Sequence, residues 1–209
     1  FVLPEEILNE WKEIGKKGKE LEKKWSKDLN KKSVAIKNEL EKFTNNLDIV
    51  ELENLIYKEK KKYFESKPSL ATRQCSAVTI EAVSQLLPQL IGGSADLSGS
   101  NNTKTSNSKT ITSKNFNGNY IHYGVREHGM AAIMNGLTLY GGLIAYGGTF
   151  LIFSDYCKPS IRLSSLMGLN VIYIFSHDSI GLGEDGPTHQ PIEQLTGIRS
   201  IPNLNVFRP

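Results

Sequence analysis

Apolar residues recur at three- and four-residue intervals through the first part of the chain: Ile7, Leu8, Trp11, Ile14, Leu21, Trp25 and Leu29. On an otherwise charged segment this spacing predicts a helix with one narrow apolar stripe, and Pro4 suits its first turn. Shorter helices are predicted over 34–43 and 52–64. From Leu70 the texture changes. A helix over 71–87 is stopped by Pro88, a short strand follows over 90–96, and a Ser-, Thr-, Asn- and Lys-rich loop without periodicity fills 98–119. The middle of that loop, about 105–113, is expected to be flexible. Extended chain over 120–123 leads into a helix over 126–140. A glycine-rich turn and a second helix from about 149 come next, with a break at Pro159 and helix again to 167. The run NVIYIF at 170–175 predicts a buried strand. A helix over 191–200 and a strand over 205–207 complete the pattern. Strand and helix alternating from Leu90 predict an α/β fold on a parallel sheet, with 1–69 as a charged helical arm.

The chain carries no Asp, Glu, Lys or Arg between His128 and Ser154, and Glu127 stands at the head of that apolar segment. A carboxylate entering such a segment must be paired or desolvated. Arg126 and His128 flank it, but helical neighbours at i±1 point apart. Glu127 is therefore expected to face an apolar wall, the setting that tunes an acid for proton work. An acid favoured by the helix dipole is the other reading that spacing leaves open. Six glycines between Gly129 and Gly148 argue against a membrane span. Phe150, Phe153 and Tyr156 fall at i, i+3 and i+6, roughly one helical face. Such a stripe is core, or a flat wall for a ring if a ligand is brought to it. Ligands of parallel sheets sit beyond the carboxyl ends of the strands. That rule predicts Asp96, Glu127 and the 177–190 loop along one edge.

Composition narrows the partners. The 209 residues carry a net charge of +3, with 22% charged and 39% hydrophobic residues. Of the charged residues, 16 Lys and 14 Asp or Glu lie in residues 1–68. The Lys60-Lys61-Lys62 run reads as a solvated helix face. No basic groove with interleaved aromatics appears, so nucleic acid is not expected as a partner, nor is a membrane. Two distant cysteines, Cys75 and Cys157, without metal-ligand spacing, suit a reduced intracellular compartment. The first residue is Phe rather than Met, and Phe1–Glu10 is not a targeting segment, so a piece of a longer polypeptide is expected.

The loop after the 170–175 run matches Gly181-x-Gly183-x-x-Gly186, the dinucleotide fingerprint. Four residues separate it from the strand, and Pro187 removes a donor where a phosphate-binding helix should open. A metal site from His177, Asp185 and His189 is a second reading, without an evident fourth ligand. The third takes the loop as proton-handling groups, two imidazoles and Asp185, held by a glycine-rich turn around a polar substrate.

ATRQCS at 71–76, GGSADLSGSN at 92–101, YGVREHGMAAIMNG at 123–136, GGTFLIFSDY at 147–156 and HDSIGLGEDGPTHQPIEQL at 177–195 together resemble the transketolase family, in that order. The resemblance covers essentially the whole chain. It implies the end of an inter-domain linker, 1–69, and most of a three-layer pyrimidine-binding domain, 70–209, incomplete at its C-terminal end. It further implies transfer of a two-carbon ketol unit from a ketose phosphate to an aldose phosphate, with thiamine diphosphate, in the pentose phosphate pathway of the cytoplasm. Glu127 matches the glutamate that bonds the aminopyrimidine N1′ and drives its amino group to an imino form, which activates the thiazolium carbon. Phe150, Phe153 and Tyr156 align with the pyrimidine pocket, and Asp96 with a residue near the thiazolium ring. Arg73 and Ser100 match positions that grip the substrate phosphate. His177 and His189 match histidines around the reacting oxygens and the phosphate, and Asp185 one that reads a substrate hydroxyl.

The family's diphosphate-binding domain with its ligands for a divalent metal, magnesium or calcium, falls outside this chain. So do the C-terminal domain and a further phosphate-binding arginine. The cofactor of the family sits between two subunits of a homodimer, so the 209 residues alone are expected to be inactive. Two alternatives stand beside transketolase. One is a related thiamine enzyme, dihydroxyacetone synthase or deoxyxylulose-phosphate synthase. The other is a non-catalytic dimerising module.

Overall fold

The structure is a computed structural model and describes residues 2–44, 48–179, 181–183 and 185–209. The chain divides into two compact units, 1–44 and 45–209. The first holds α1 (Glu5–Asn30) and α2 (Val34–Thr44). Neither helix buries a residue, so the apolar stripe of α1, Trp11 and Trp25 included, is solvent-facing.

The second unit opens with α3 (Ile49–Ser66), whose N-cap Asp48 accepts from the Glu51 N–H, and α4 (Thr72–Leu86). The alternating part follows: β1 (Leu90–Ser94), α5 (Ser98–Asn101), β2 (Tyr120–His122), α6 (Glu127–Tyr140), β3 (Ile144–Phe150), a single 3₁₀ turn (Leu151–Phe153), α7 (Ser154–Leu166), β4 (Val171–Ser176) and α8 (Gln194–Arg199). The four strands form one sheet in the order β2-β1-β3-β4, every pair parallel. The α/β fold on a parallel sheet with flanking helices is as the sequence predicts.

Four local expectations are corrected. First, 144–150 is the central strand β3, where the sequence suggested a glycine turn entering a helix. Gly147 and Gly148 read as breakers, yet they let other elements approach. A side-chain carbon on Gly147 would come within 2.3 Å of the Met134 sulfur on α6. Second, β4 is an edge strand, and Ile172 is 48% exposed, so its apolar run does not mark burial on both faces. Third, α7 (Ser154–Leu166) runs on through Pro159, where a break was expected. Fourth, among the described residues, 205–207 is not a strand.

Two apolar clusters close the unit. Ala95, Tyr123, Met130, Met134 and Ala145 pack between α6 and the sheet, and Ala131, Cys157, Ile161 and Ile201 between α6 and α7. A polar seam joins the same helices: Asn135 donates to the Ser160 carbonyl at 3.0 Å and accepts from the Ser164 hydroxyl. Burying those amides is tolerable because they are paired. The 98–119 segment is tied down at several points. Tyr120, fully buried, shares its hydroxyl with Thr103 and Ser98, and Glu81 of α4 accepts from both the amide and the hydroxyl of Ser106. Its middle is therefore anchored to α4 and, through Ile111 N–H to the Tyr120 carbonyl, to the strand region.

Candidate active site at the carboxyl ends of the strands

Parallel pairing turns all four strand ends to one edge. Asp96 follows β1, Glu127 follows β2 at the first turn of α6, Phe150 ends β3, and His177 follows β4. The predicted common edge is formed.

Glu127 is 7% exposed. Its neighbours point away, as helical geometry requires: Arg126 donates to the Tyr123 carbonyl at 3.1 Å, and His128 Nδ1 lies 3.2 Å from the Ser160 hydroxyl. Among the described residues Glu127 forms no ion pair. Its charge is felt by the buried Cys157 of α7, whose thiol is pushed up to about 12, first by burial and then by Glu127. Cys157 in turn faces the Phe153 carbonyl at 3.8 Å. The Cys157 thiol thus lies in the field of the Glu127 carboxyl and against the backbone of Phe153.

Those aromatics do not share a helix. Phe150 is the last residue of β3, Phe153 lies in the 3₁₀ turn, and Tyr156 is in the first turn of α7. They still form a ladder. Phe150 and Phe153 stack at 5.7 Å between centroids and 11°, and Phe153 and Tyr156 at 5.9 Å and 26°. The ladder runs from buried Phe150 to Tyr156, which is 64% exposed.

Both imidazoles meet the buried end. His177 stacks on Phe150 at 3.8 Å, and His189 presents its edge to Phe150 at 5.9 Å and to Phe153 at 5.2 Å. His177 holds a left-handed backbone, φ 54°, unusual for a residue with a side chain. Burial lowers its pKa, the Arg73 guanidinium and His189 lower it further, and Asp185 and Asp178 oppose them. Arg73, Asn101, Ser176, His177, Ser179 and Arg208 line one cavity of about 480 Å³. Sequence pattern alone gives Arg208 no role, and a further phosphate-binding arginine is expected outside the chain. Arg208 pairs with Asp178 at 2.9 Å and adds a second guanidinium to this cavity. Only the position of Arg208 after a strand-like run could have signalled it.

Asp185 is exposed in a loop that folds on itself, and Ile180 and Glu184 of that loop lie outside the described residues. Asp96 and Ser100 are also exposed. Asp96 has a left-handed backbone, φ 64°. No helix opens at Gly186, since α8 begins at Gln194, so the dinucleotide geometry is not formed. Among the described residues no three His, Cys, Asp or Glu side chains converge as a metal shell, which leaves His177, Asp185 and His189 apart as ligands. No helix among them is long and apolar enough to cross a membrane.

A parallel sheet whose strand ends carry a buried acid, an aromatic ladder and two imidazoles defines an α/β ligand-binding domain with its site at the carboxyl edge. The chain belongs to the transketolase family: residues 68–209 match the transketolase pyrimidine binding domain. A transketolase of Sinorhizobium medicae is 48% identical over 209 residues, the whole of this chain and 30% of the relative. One of Aquifex aeolicus is 45% identical over 215 aligned positions, again the whole chain and 30% of the relative. Among solved structures, the transketolase of Campylobacter jejuni aligns with a TM-score of 0.75 at 39% identity, over 89% of this chain and 27% of that one. A Pichia stipitis transketolase in complex with sedoheptulose-7-phosphate aligns with a TM-score of 0.63 at 46% identity, over 65% and 21%. The chain therefore spans under a third of the curated relatives named here.

Thiamine diphosphate, the cofactor this family implies, needs a planar apolar wall for its aminopyrimidine and an acid at the ring's edge. The parallel Phe150 and Phe153 rings and the buried Glu127, which has no ion pair among the described residues, fit that requirement.

Proposed function

We propose that this chain supplies the pyrimidine-binding half-site of a transketolase, which moves a two-carbon ketol unit from a ketose phosphate to an aldose phosphate in the pentose phosphate pathway. The observation that carries the reading is the meeting of both imidazoles on Phe150, at the foot of the aromatic ladder. Residues 1–69 act as an inter-domain arm and 70–209 as the domain. The active site forms between two subunits of a homodimer, and a divalent metal, magnesium or calcium, is held outside this chain. The 209 residues alone are inactive, and the enzyme works in the cytoplasm.

When bound, thiamine diphosphate supplies a nucleophilic ring carbon. Glu127 holds a proton at the pyrimidine N1′, where exclusion of water strengthens the hydrogen bond. Phe150, Phe153 and Tyr156 orient the ring and keep water away, and Asp96 lies toward the thiazolium side. Arg73, Ser100 and the newly found Arg208 bind the substrate phosphate, a task for forked guanidinium donors. His177 and His189 donate to substrate oxygens, and Asp185 accepts from a substrate hydroxyl.

In the full-length protein, Glu127→Gln should lower kcat for ketol transfer by at least a factor on the order of 100, while dimer mass and melting temperature hold. Unchanged turnover would refute the assignment of Glu127. A related thiamine enzyme would instead show preference for formaldehyde or pyruvate chemistry over sugar-phosphate exchange.

A further inference from the structure

One buried side chain beside the site has no part in the mechanism above. Asn101, fully buried in the four-residue α5, links β1 to β4. The Ser94 hydroxyl reaches its Oδ1 at 3.2 Å, its Nδ2 donates to the Ser176 hydroxyl at 2.6 Å, and that hydroxyl lies 2.9 Å from His177 Nδ1. The chain of contacts thus runs from the middle of the sheet to an imidazole at its edge.

We propose that Asn101 is a positioning residue which, through Ser176, keeps His177 Nδ1 as an acceptor and so leaves the ring proton on Nε2, facing away from the protein's own hydrogen-bond chain. The direction follows from an inventory of hydrogens. A carboxamide nitrogen can only donate, so the Ser176 oxygen receives from Asn101, and among the described residues His177 Nδ1 is the acceptor within reach of the Ser176 hydrogen. Ser94 sets the amide orientation from the other end. It receives the Leu97 N–H at 3.1 Å and turns its single hydrogen toward the Asn101 and Gly148 oxygens.

Backbone geometry supports a purpose beyond packing. His177 keeps φ 54°, a conformation costly for a non-glycine residue, and thereby folds its ring back onto the preceding serine. Asn101 also needs Gly148 on β3. A side-chain carbon there would stand 2.5 Å from Thr103 Cγ2 and 3.2 Å from Asn101 Cβ. Fixing which ring nitrogen carries the proton is how a buried partner makes an imidazole a dependable donor.

The test is Asn101→Asp, nearly the same shape but an acceptor at both oxygens. The Ser176 hydrogen then turns to the carboxylate, and the His177 proton must move to Nδ1 to fill the serine lone pair. Ring ¹⁵N–¹H correlation spectra at about pH 8, where an ordinary imidazole is neutral, read this directly. They need no substrate, and His177→Gln assigns the signals. The expected result is Nε2–H in the starting protein and Nδ1–H in N101D. Nδ1–H in the starting protein, or an unmoved proton in folded N101D, overturns the proposal.

Because N101D buries a charge, kinetics in the full-length enzyme provide a second route, and this arm rests on the ketol-transfer reading. N101A and S176A should each lower kcat/KM about tenfold, the worth of one hydrogen bond. Their double variant should lose no more than either alone, and neither should matter further in the H177Q background. Multiplying losses in any of these pairs would make Asn101 merely structural and sink the proposal. If H177Q itself keeps full kcat/KM, the substrate role of His177 fails, and the positioning role with it, while the spectra still report the wiring.

Discussion

The His177 imidazole lies 3.8 Å from the Phe150 ring, centroid to centroid, at an angle of 29°. Two residues at the ends of adjacent parallel strands, 27 positions apart in sequence, thus form one stacked pair. The contact puts an ionisable ring on a buried apolar one, and that burial is the first cause of its lowered pKa.

Arg73→Ala should therefore raise the His177 pKa, since it removes the largest charge opposing protonation while Asp185 and Asp178 remain. The sign for stability is fixed by linkage. A histidine whose folded pKa is depressed stabilises fully above its unfolded value, near 6.5, and loses that contribution as pH falls from there through the folded value. NMR titration of the ring checks the shift, and urea melts at about pH 5 and 8 check the slope. A pKa unmoved by R73A would show that the guanidinium is too solvated to act.

Phe150→Leu and Tyr156→Leu should separate packing from ligand binding. Phe150 is 6% exposed and touches three rings, so its loss should cost about 1–3 kcal/mol of unfolding free energy. Tyr156 is 64% exposed, and its loss should stay within about 0.5 kcal/mol. If the ladder receives the cofactor's ring, both variants should nonetheless weaken thiamine diphosphate binding by the full-length protein. Binding that tracks stability alone counts against the ladder as a ring site.

Gly148→Ala should destabilise by about 1–3 kcal/mol, because its new methyl group meets Thr103 and Asn101 on a buried face with no flexible chain end to move aside. Thermal unfolding measures it, with a fall of about 2–4 °C expected for each kcal/mol in a chain of this size. Gly136→Ala, where nothing lies within 4 Å, is the control and should be neutral or stabilising.

Glu81→Gln should loosen the polar 103–113 segment. The two hydrogen bonds from Ser106 hold the Glu81 carboxyl below the ordinary carboxylate range. A depressed carboxyl contributes above its unfolded pKa, about 4.3, and the contribution fades as pH drops through the folded value. Amide exchange of Ser106 to Ile111 should be faster in the variant near pH 7. Equal exchange would return the segment to the flexible loop that its composition suggests.

Several elements were legible locally. The stripe from Ile7 to Leu29 marked α1, and NVIYIF marked β4. Charge starvation after Glu127 pointed to an acid heading a buried helix; α6 does bury Glu127, but only along one face, since Ile133, Leu139 and Tyr140 are exposed. Where the reading slipped, the missing information was always a distant partner. Gly147 and Gly148 look like breakers until α6 and Asn101 are seen to press on β3. The 98–119 loop looks free until Glu81 is found holding it, and Arg208 has no visible company until it faces the cavity that Arg73 lines.

By itself the sequence determined what periodicity and residue chemistry can carry: helices with their faces, an α/β alternation, and the acid, rings and imidazoles a site would need. Tertiary structure alone decided that the three aromatics sit on a strand end, a turn and a helix, and that both imidazoles close on Phe150. It also decided that Asn101 reaches His177. The physical reason is that parallel strands pair only across long crossovers, so the contacts that build the edge join residues tens of positions apart. Local propensity cannot encode such contacts.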